Sequence, residues 1–335
     1  MENTPRIALV MGDAAGVGAE LTAKLLACHD EIRNIRLIVL GDRKLLQNGA
    51  RIAGVTLDLP VVETAEGLAL EPGRPVLLDL QHKDADAIPV GRPTRESGAF
   101  AMRNFGAALD LGRTGAIQAI CFTPFNKQAF KLAGNPYLDE LHWAADRLGA
   151  AGRVSEYNRL DDLWNARVTS HIPMAEVPRQ LTREAVLEAI FDTDRTLRKA
   201  GIAAPRLGIA GYNPHAGEGG LFGREEIDSI EPAIADAAAQ GLAVAGPFPA
   251  DTVWLRAKRG DFDAVVTMYH DQGQIALKLM GFSRGVTILA GLPVPIATPA
   301  HGTAYDIAGT GKADLGATLA AFRTAVAFAG NSPPS

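Results

Sequence analysis

Three of the seven histidines stand just past apolar runs. His171 follows ARVTS (166–170), His215 follows RLGIAGYNP (206–214), and His270 follows AVVTMY (264–269). A turn calls for Gly or Asn and has no need of an imidazole. A single histidine in such a place is commonly a hydrogen-bonded structural residue. Three at one edge of a sheet can share a divalent ion, with positions left open for water or substrate. Asn213 and Asp271 lie close enough in sequence to fix the imidazole tautomers by hydrogen bonding.

The segment AHGTAYDIAGTGKADLGATLAAF (300–322) is a Gly-punctuated loop running into a helix. Its backbone amides suit close approach by a nucleotide, with Asp306 able to accept from a ribose hydroxyl. A tight helix entry would account for the same glycines. GDAAGVGAE (12–20) has a similar strand–loop–helix form. It lacks the G-x-G-x-x-G spacing, and no acidic residue ends a well-placed second strand, so a Rossmann unit is rejected.

Positioning these groups falls to alternating elements. Apolar runs at 6–11, 36–41, 75–80, 116–122, 166–172, 206–211, 264–269 and 286–291 predict strands. Segments 19–30, 100–113, 183–201 and 225–241 carry helical spacing. The alternation predicts an α/β fold with a mainly parallel sheet and helices on both faces. Ligands in such folds gather at the carboxyl ends of the strands, where the three histidines fall. Turn clusters near 124–136 and 281–285 suggest two domains, 1–127 with 286–335, and 128–285 between them.

The formal net charge of −5 over 335 residues gives no basic excess for nucleic acid or an anionic membrane. No apolar stretch reaches the roughly 18 residues of a membrane span. MENTPRIALVMGD does not read as a secretory signal, and Cys28 and Cys121 sit in apolar runs as reduced core residues. The expectation is a cytoplasmic protein.

GDAAGVGAE, TPFNK (123–127), TSHIPM (169–174), NPHAGEGG (213–220), PADT (249–252), MYHDQG (268–273) and HGTAYDIAGTGKAD (301–314) together resemble the 4-hydroxythreonine-4-phosphate dehydrogenase family. The resemblance runs in order along nearly the whole chain. It implies two α/β/α domains around a central cleft, similar to isocitrate and isopropylmalate dehydrogenases, in a homodimer whose active site is shared. It implies one divalent ion (Zn, or Mg, Mn or Co) on His171, His215 and His270, one of them from the partner subunit. NAD is implied along 301–314, at His301, Gly302, Thr303, Asp306 and Gly309. The implied reaction oxidises a secondary alcohol β to a carboxylate, with decarboxylation. Asp251 and Lys278 match positions near the substrate; a helix N-cap and a solvated charge are their plainer readings.

The family's substrate stretch, Gly-His-Thr-Glu, is replaced here by Asp139-Glu140-Leu141-His142. Its later Arg aligns with Ile296 and its Asn with Thr287. On that alignment Glu140, Leu141, His142, Thr287 and Ile296 would face the substrate. The added acids and the missing Arg predict a substrate without a phosphate, as in the terephthalate cis-dihydrodiol dehydrogenase branch. If the alignment slips by a few residues, His142 takes the phosphate role and the usual phosphorylated substrate returns. Two other classes stay open: a metal-dependent hydrolase or lyase without nicotinamide, which the 301–314 loop opposes, and a non-catalytic binding module, which has no need of three metal ligands.

Overall fold

The computed structural model describes residues 4–83, 85–137 and 139–331. Its twelve described strands are β1 (Arg6–Val10), β2 (Arg36–Gly41), β3 (Val61–Val62), β4 (Val76–Asp79), β5 (Ala119–Phe122), β6 (Ser155–Leu160), β7 (Leu163–Arg167), β8 (Arg206–Ala210), β9 (Ala243–Phe248), β10 (Ala264–Thr267), β11 (Val286–Ala290) and β12 (Ile296–Pro299). The chain forms two compact units. One runs to Ser155 and resumes at Val286; the other spans Glu156–Gly285.

In the first unit the strand order is β3-β4-β2-β1-β5-β12-β11, parallel except for the β11–β12 pair. Ile7–Met11 are fully buried, because β1 lies between β2 and β5 with both faces covered. A strand covered on both faces reads as an unbroken apolar run. Helix Arg95–Arg113 begins five residues before the expected 100. Thr94 accepts from the Ser97 amide, and Ser97 Oγ accepts from the Thr94 amide, which closes a capping box.

Phe105, Phe122, Phe125, Phe130 and Trp143 pack as one aromatic group, with Phe122 and Phe125 stacked at 4.1 Å. Helices Lys127–Leu132 and Glu140–Leu148 are thereby held against helix Arg95–Arg113. This packing keeps residues 128–155 with the first unit, whereas the turn cluster near 124–136 suggested a border at 127. Burial of an aromatic ring of this kind is worth about 3–5 kcal/mol against alanine.

The second unit has the order β6-β7-β10-β8-β9. β6 and β7 form an antiparallel hairpin turning at Asp161-Asp162; β7, β10, β8 and β9 run parallel. Three neighbouring parallel strands, β7, β10 and β8, therefore end side by side. β7 starts three residues before the predicted run and stops at Arg167. Its backbone still follows the extension of β10, with Val168 N donating to Thr267 O at 2.8 Å and Thr169 N to Met268 O at 3.1 Å. The predicted helix 225–241 divides into a π-turn, Glu226–Ile230, and helix Glu231–Ala239. Pro232 has no amide hydrogen to continue the regular ladder across that junction.

Among the described residues no helix is long and apolar enough to cross a membrane. Both cysteines are free. Cys121 is buried in β5, and burial pushes its thiol far up. Cys28 is only half-buried and donates to Lys24 O.

Candidate active site

His171 lies four residues beyond β7, His215 five beyond β8, and His270 begins helix His270–Gly281 three residues beyond β10. Their shared position at the sheet's edge follows from the adjacency of those strands. The rings of His171 and His270 are 5.5 Å apart between centroids. At that spacing two imidazoles can share one ion through bonds of about 2.0–2.1 Å. His270 Nδ1 is 2.7 Å from Asp271 Oδ1, which leaves Nε2 as the nitrogen that could bind an ion. This donor set fits a divalent ion. His215 does not join the pair: among the described residues of one chain, no group of three His, Cys, Asp or Glu is arranged to hold a metal.

His215 stands instead in an unusual turn. Residues 215–220 all have positive φ, and His215, Ala216 and Glu218 adopt it without being glycine. Buried Glu226 secures the entry to this turn. Its Oε1 accepts from Tyr212 N and Asn213 N, each at 2.7 Å, and its Oε2 accepts from Asn213 Nδ2 at 2.9 Å. A Cβ at Gly217 would meet Glu226 Oε2 at 2.7 Å, so both the positive φ and the close approach require glycine there. Asn213 thus donates to Glu226 and Glu225, not to an imidazole as its sequence position suggested. Glu226 escaped the sequence reading because it stands in a charged REEID stretch.

Asp251 is exposed in the first turn of helix Ala250–Lys258, where its charge favours the helix dipole. It is not the N-cap, a position held by Pro249. Lys278 is exposed eight residues beyond His270 on the same helix, roughly 12 Å along its axis at 1.5 Å per residue.

In the first unit, loop 301–314 leads into helix Gly316–Gly330 and lies on the GDAAGVGAE segment. Val17 N donates to Thr303 O at 3.1 Å, and the Tyr305 hydroxyl donates to Asp13 Oδ2 at 2.7 Å. Burial pushes the Asp13 carboxyl up, while bonds from Tyr305, Ala15 N and Ser97 pull it down. Burial and the neighbouring carboxylate push Tyr305 up strongly. Gly302, Asp306 and Gly309 are exposed, and Thr303 is buried. His301 Nδ1 meets its neighbour's Gly302 O at 2.9 Å, while Nε2 is buried with no hydrogen-bond partner among the described residues. That orphaned nitrogen and the exposed glycine backbone fit a polar ligand such as a dinucleotide.

The substrate stretch departs from expectation. Asp139 is the N-cap of helix Glu140–Leu148: Oδ1 accepts from His142 N at 2.9 Å and lies 2.6 Å from His142 Nδ1. Its side chain is 3% exposed, so the carboxylate is turned into its own helix and paired with the exposed His142 ring. Leu141 and Ile296 belong to one buried core cluster. Ile296, in β12, is fully buried, paired with Ile120 on one side and Leu289 on the other. Neither can touch a ligand without repacking the sheet. Thr287 lies half-buried in β11 opposite Thr298. Glu140 and Asp139 line a cavity of about 610 Å³ together with Lys127 and Lys131. Two cations therefore stand beside the two acids, and the negative charge expected from the acids alone is offset. Lys127 was already visible at the end of TPFNK.

The class follows from fold and likeness together. A β-decarboxylating dehydrogenase from Thermococcus kodakarensis has the same fold, with a TM-score of 0.52 at 14% identity over 95% of this chain and 81% of that one. The chain has that architecture. The model of the family described as pyridoxal phosphate biosynthetic protein PdxA matches residues 33–325, and the chain belongs to this family. A Rhizobium meliloti (strain 1021) protein provisionally named 4-hydroxythreonine-4-phosphate dehydrogenase 2 is 52% identical over 98% of this chain and 94% of its own length. The D-threonate 4-phosphate dehydrogenase of Cupriavidus necator is 40% identical, covering 95% and 96%. The crystal structure of a 4-hydroxythreonine-4-phosphate dehydrogenase from Burkholderia phymatum gives a TM-score of 0.80 at 40% identity, covering 97% and 98%. A terephthalate 1,2-cis-dihydrodiol dehydrogenase from Burkholderia xenovorans LB400 stands further off, at 0.66 and 29%, covering 96% and 98%. The expectation of that branch is thus less well supported than its phosphorylated alternative.

Proposed function

We propose that this chain is an NAD- and divalent-metal-dependent dehydrogenase that oxidises the secondary alcohol of a phosphorylated hydroxy acid, of the 4-hydroxythreonine 4-phosphate or D-threonate 4-phosphate kind. The observation that carries the reading is the His171–His270 pair with Asp271 behind it, in a chain whose more similar relatives are named for such substrates. His171 and His270 hold the ion, zinc or Mg, Mn or Co, and His215 is supplied by a second copy in a homodimer. Held by these histidines a dication would supply Lewis acidity, and NAD held by the 301–314 loop would supply the hydride acceptor.

The chain's own residues orient and hold. Asp271 fixes the His270 ring with Nε2 outward, and Glu226 keeps the His215 turn in its left-handed form. His301, Gly302, Thr303, Asp306 and Gly309 form the NAD loop. Asp251 and Lys278 remain candidates for moving protons or holding the carboxylate. His142, exposed and held by Asp139, would meet the phosphate under the shifted alignment. The comparisons support oxidation of the alcohol and give no separate support to loss of carbon dioxide.

The test compares kcat/KM for the two phosphorylated acids with that for their dephosphorylated forms and for a cyclic cis-diol carboxylate. Losing two charge-assisted hydrogen bonds at about 1.5 kcal/mol each predicts a preference on the order of a hundredfold for the phosphorylated compounds. A larger constant for the diol carboxylate would contradict the reading.

A further inference from the structure

GDAAGVGAE is not a nucleotide motif by spacing, yet the structure gives it a specific relation to loop 301–314. The front of the loop is tied by Val17 N to Thr303 O and by Tyr305 to Asp13. Gly16 packs so closely that a Cβ there would meet Thr303 O at 2.6 Å. The rear is tied by a charged pair one helical turn further on. Glu20, 2% exposed, accepts from Ala313 N at 2.9 Å and from Lys24 Nζ at 2.7 Å through the same Oε1. Lys24 Nζ also donates to Gly311 O at 2.9 Å and to Ala313 O at 2.7 Å, so all three of its protons are engaged. Gly311 has φ +78°, and a Cβ there would meet Ile52 O at 2.9 Å.

Between the two ties lies an arc with no regular structure, in which Asp306, Gly309 and Thr310 are exposed. It is braced by Ile307 N to Ala304 O and Thr310 N to Ile307 O, each at 3.1 Å. Two of the proposed NAD contacts sit on this arc. A loop already held in its bound shape forfeits less conformational entropy when its ligand arrives.

We infer that Glu20 and Lys24 are positioning residues for the dinucleotide: they buckle the rear of the 301–314 loop to the first helix and so set its affinity for NAD without touching it. The inference rests on the cofactor reading proposed above. Removing one partner of a buried pair leaves the other charge uncompensated. The substitutions therefore include Lys24→Met, the uncharged double substitution Glu20→Gln with Lys24→Met, which keeps an acceptor for Ala313 N, and the conservative Lys24→Arg.

NAD binding to each protein is measured by isothermal titration calorimetry and by steady-state kinetics. Lys24→Met raises the NAD Kd and KM about tenfold, leaves kcat at saturating NAD and the KM for the hydroxy acid near the parent values, and Lys24→Arg recovers most of the loss. If Lys24→Met does not fold, the double substitution carries the same expectation. A folded Lys24→Met or double variant that binds NAD as tightly as the parent overturns the buckle alone. A parent protein that binds no NAD overturns the cofactor reading, and this inference with it.

Discussion

Replacing Glu226 by alanine removes the acceptor that fixes the entry to the His215 turn. Two backbone amides and the Asn213 side chain then lose a charged partner at 2.7–2.9 Å. Hydrogen bonds to charged groups contribute about 1.5–3 kcal/mol each, and the half-exposed Tyr212 and Asn213 place these toward the low end. For three such bonds a fall in stability of about 4.5 kcal/mol follows. The three non-glycine residues in left-handed conformation, His215, Ala216 and Glu218, each carry about 1–2 kcal/mol of strain. That total matches what Glu226 supplies, so the turn relaxes once the carboxylate is gone, and metal affinity falls at least about tenfold. Glu226→Gln keeps Oε1 as acceptor for both amides and costs only about 1 kcal/mol. Urea unfolding gives the stability change, and equilibrium dialysis against a divalent ion gives the affinity. An alanine variant within about 0.5 kcal/mol of the parent, with unchanged metal affinity, would refute the reasoning.

His171→Ala and His270→Ala should each lose bound metal and turnover while circular dichroism stays that of the parent; full metal occupancy in either would remove that residue from the site. Asp139→Asn should weaken the helix cap by no more than about 1 kcal/mol and leave the KM for a phosphorylated acid within a few-fold, because the carboxylate is turned inward. A large gain in affinity for the phosphorylated acid would restore the repulsion argument. Asp13 has a folded pKa above its ordinary 3.8, so the folded state binds the proton more readily than the unfolded one. Its contribution to stability is unfavourable above the folded pKa and is relieved as pH falls toward 3.8. Tyr305→Phe deletes a bond that lowers this pKa, so the relief should begin at higher pH; denaturation midpoints across pH, with Asp13→Asn as control, measure it.

His215 and His270 were legible because β8 and β10 lie inside the sheet and read as apolar runs with visible ends, whereas β7, LWNAR, carries buried Asn165 and Arg167 and its start was misjudged. β3, β6, β9 and β12 were missed: the first is two residues long; the second is polar, SEYNRL; the third contains Gly246-Pro247; the fourth is four residues long. The substrate stretch misled for a local reason. Asp139 reads as a charge facing a ligand, yet Asp three residues before His142 at a helix start is also a cap signal. Ile296 reads as a replaced Arg, but only the pairing of β12 with β5 and β11 shows that it is core. Glu226 and Lys24 act through partners brought close by the fold, which no local pattern announces.

The most direct measurement of the central claim is NADH formation from D-threonate 4-phosphate and from 4-hydroxythreonine 4-phosphate, recorded before chelation, after it, and after a divalent ion is returned. The account predicts turnover of at least one of them that stops on chelation and resumes with the ion. Turnover that ignores chelation, or oxidation confined to a non-phosphorylated substrate, would contradict it.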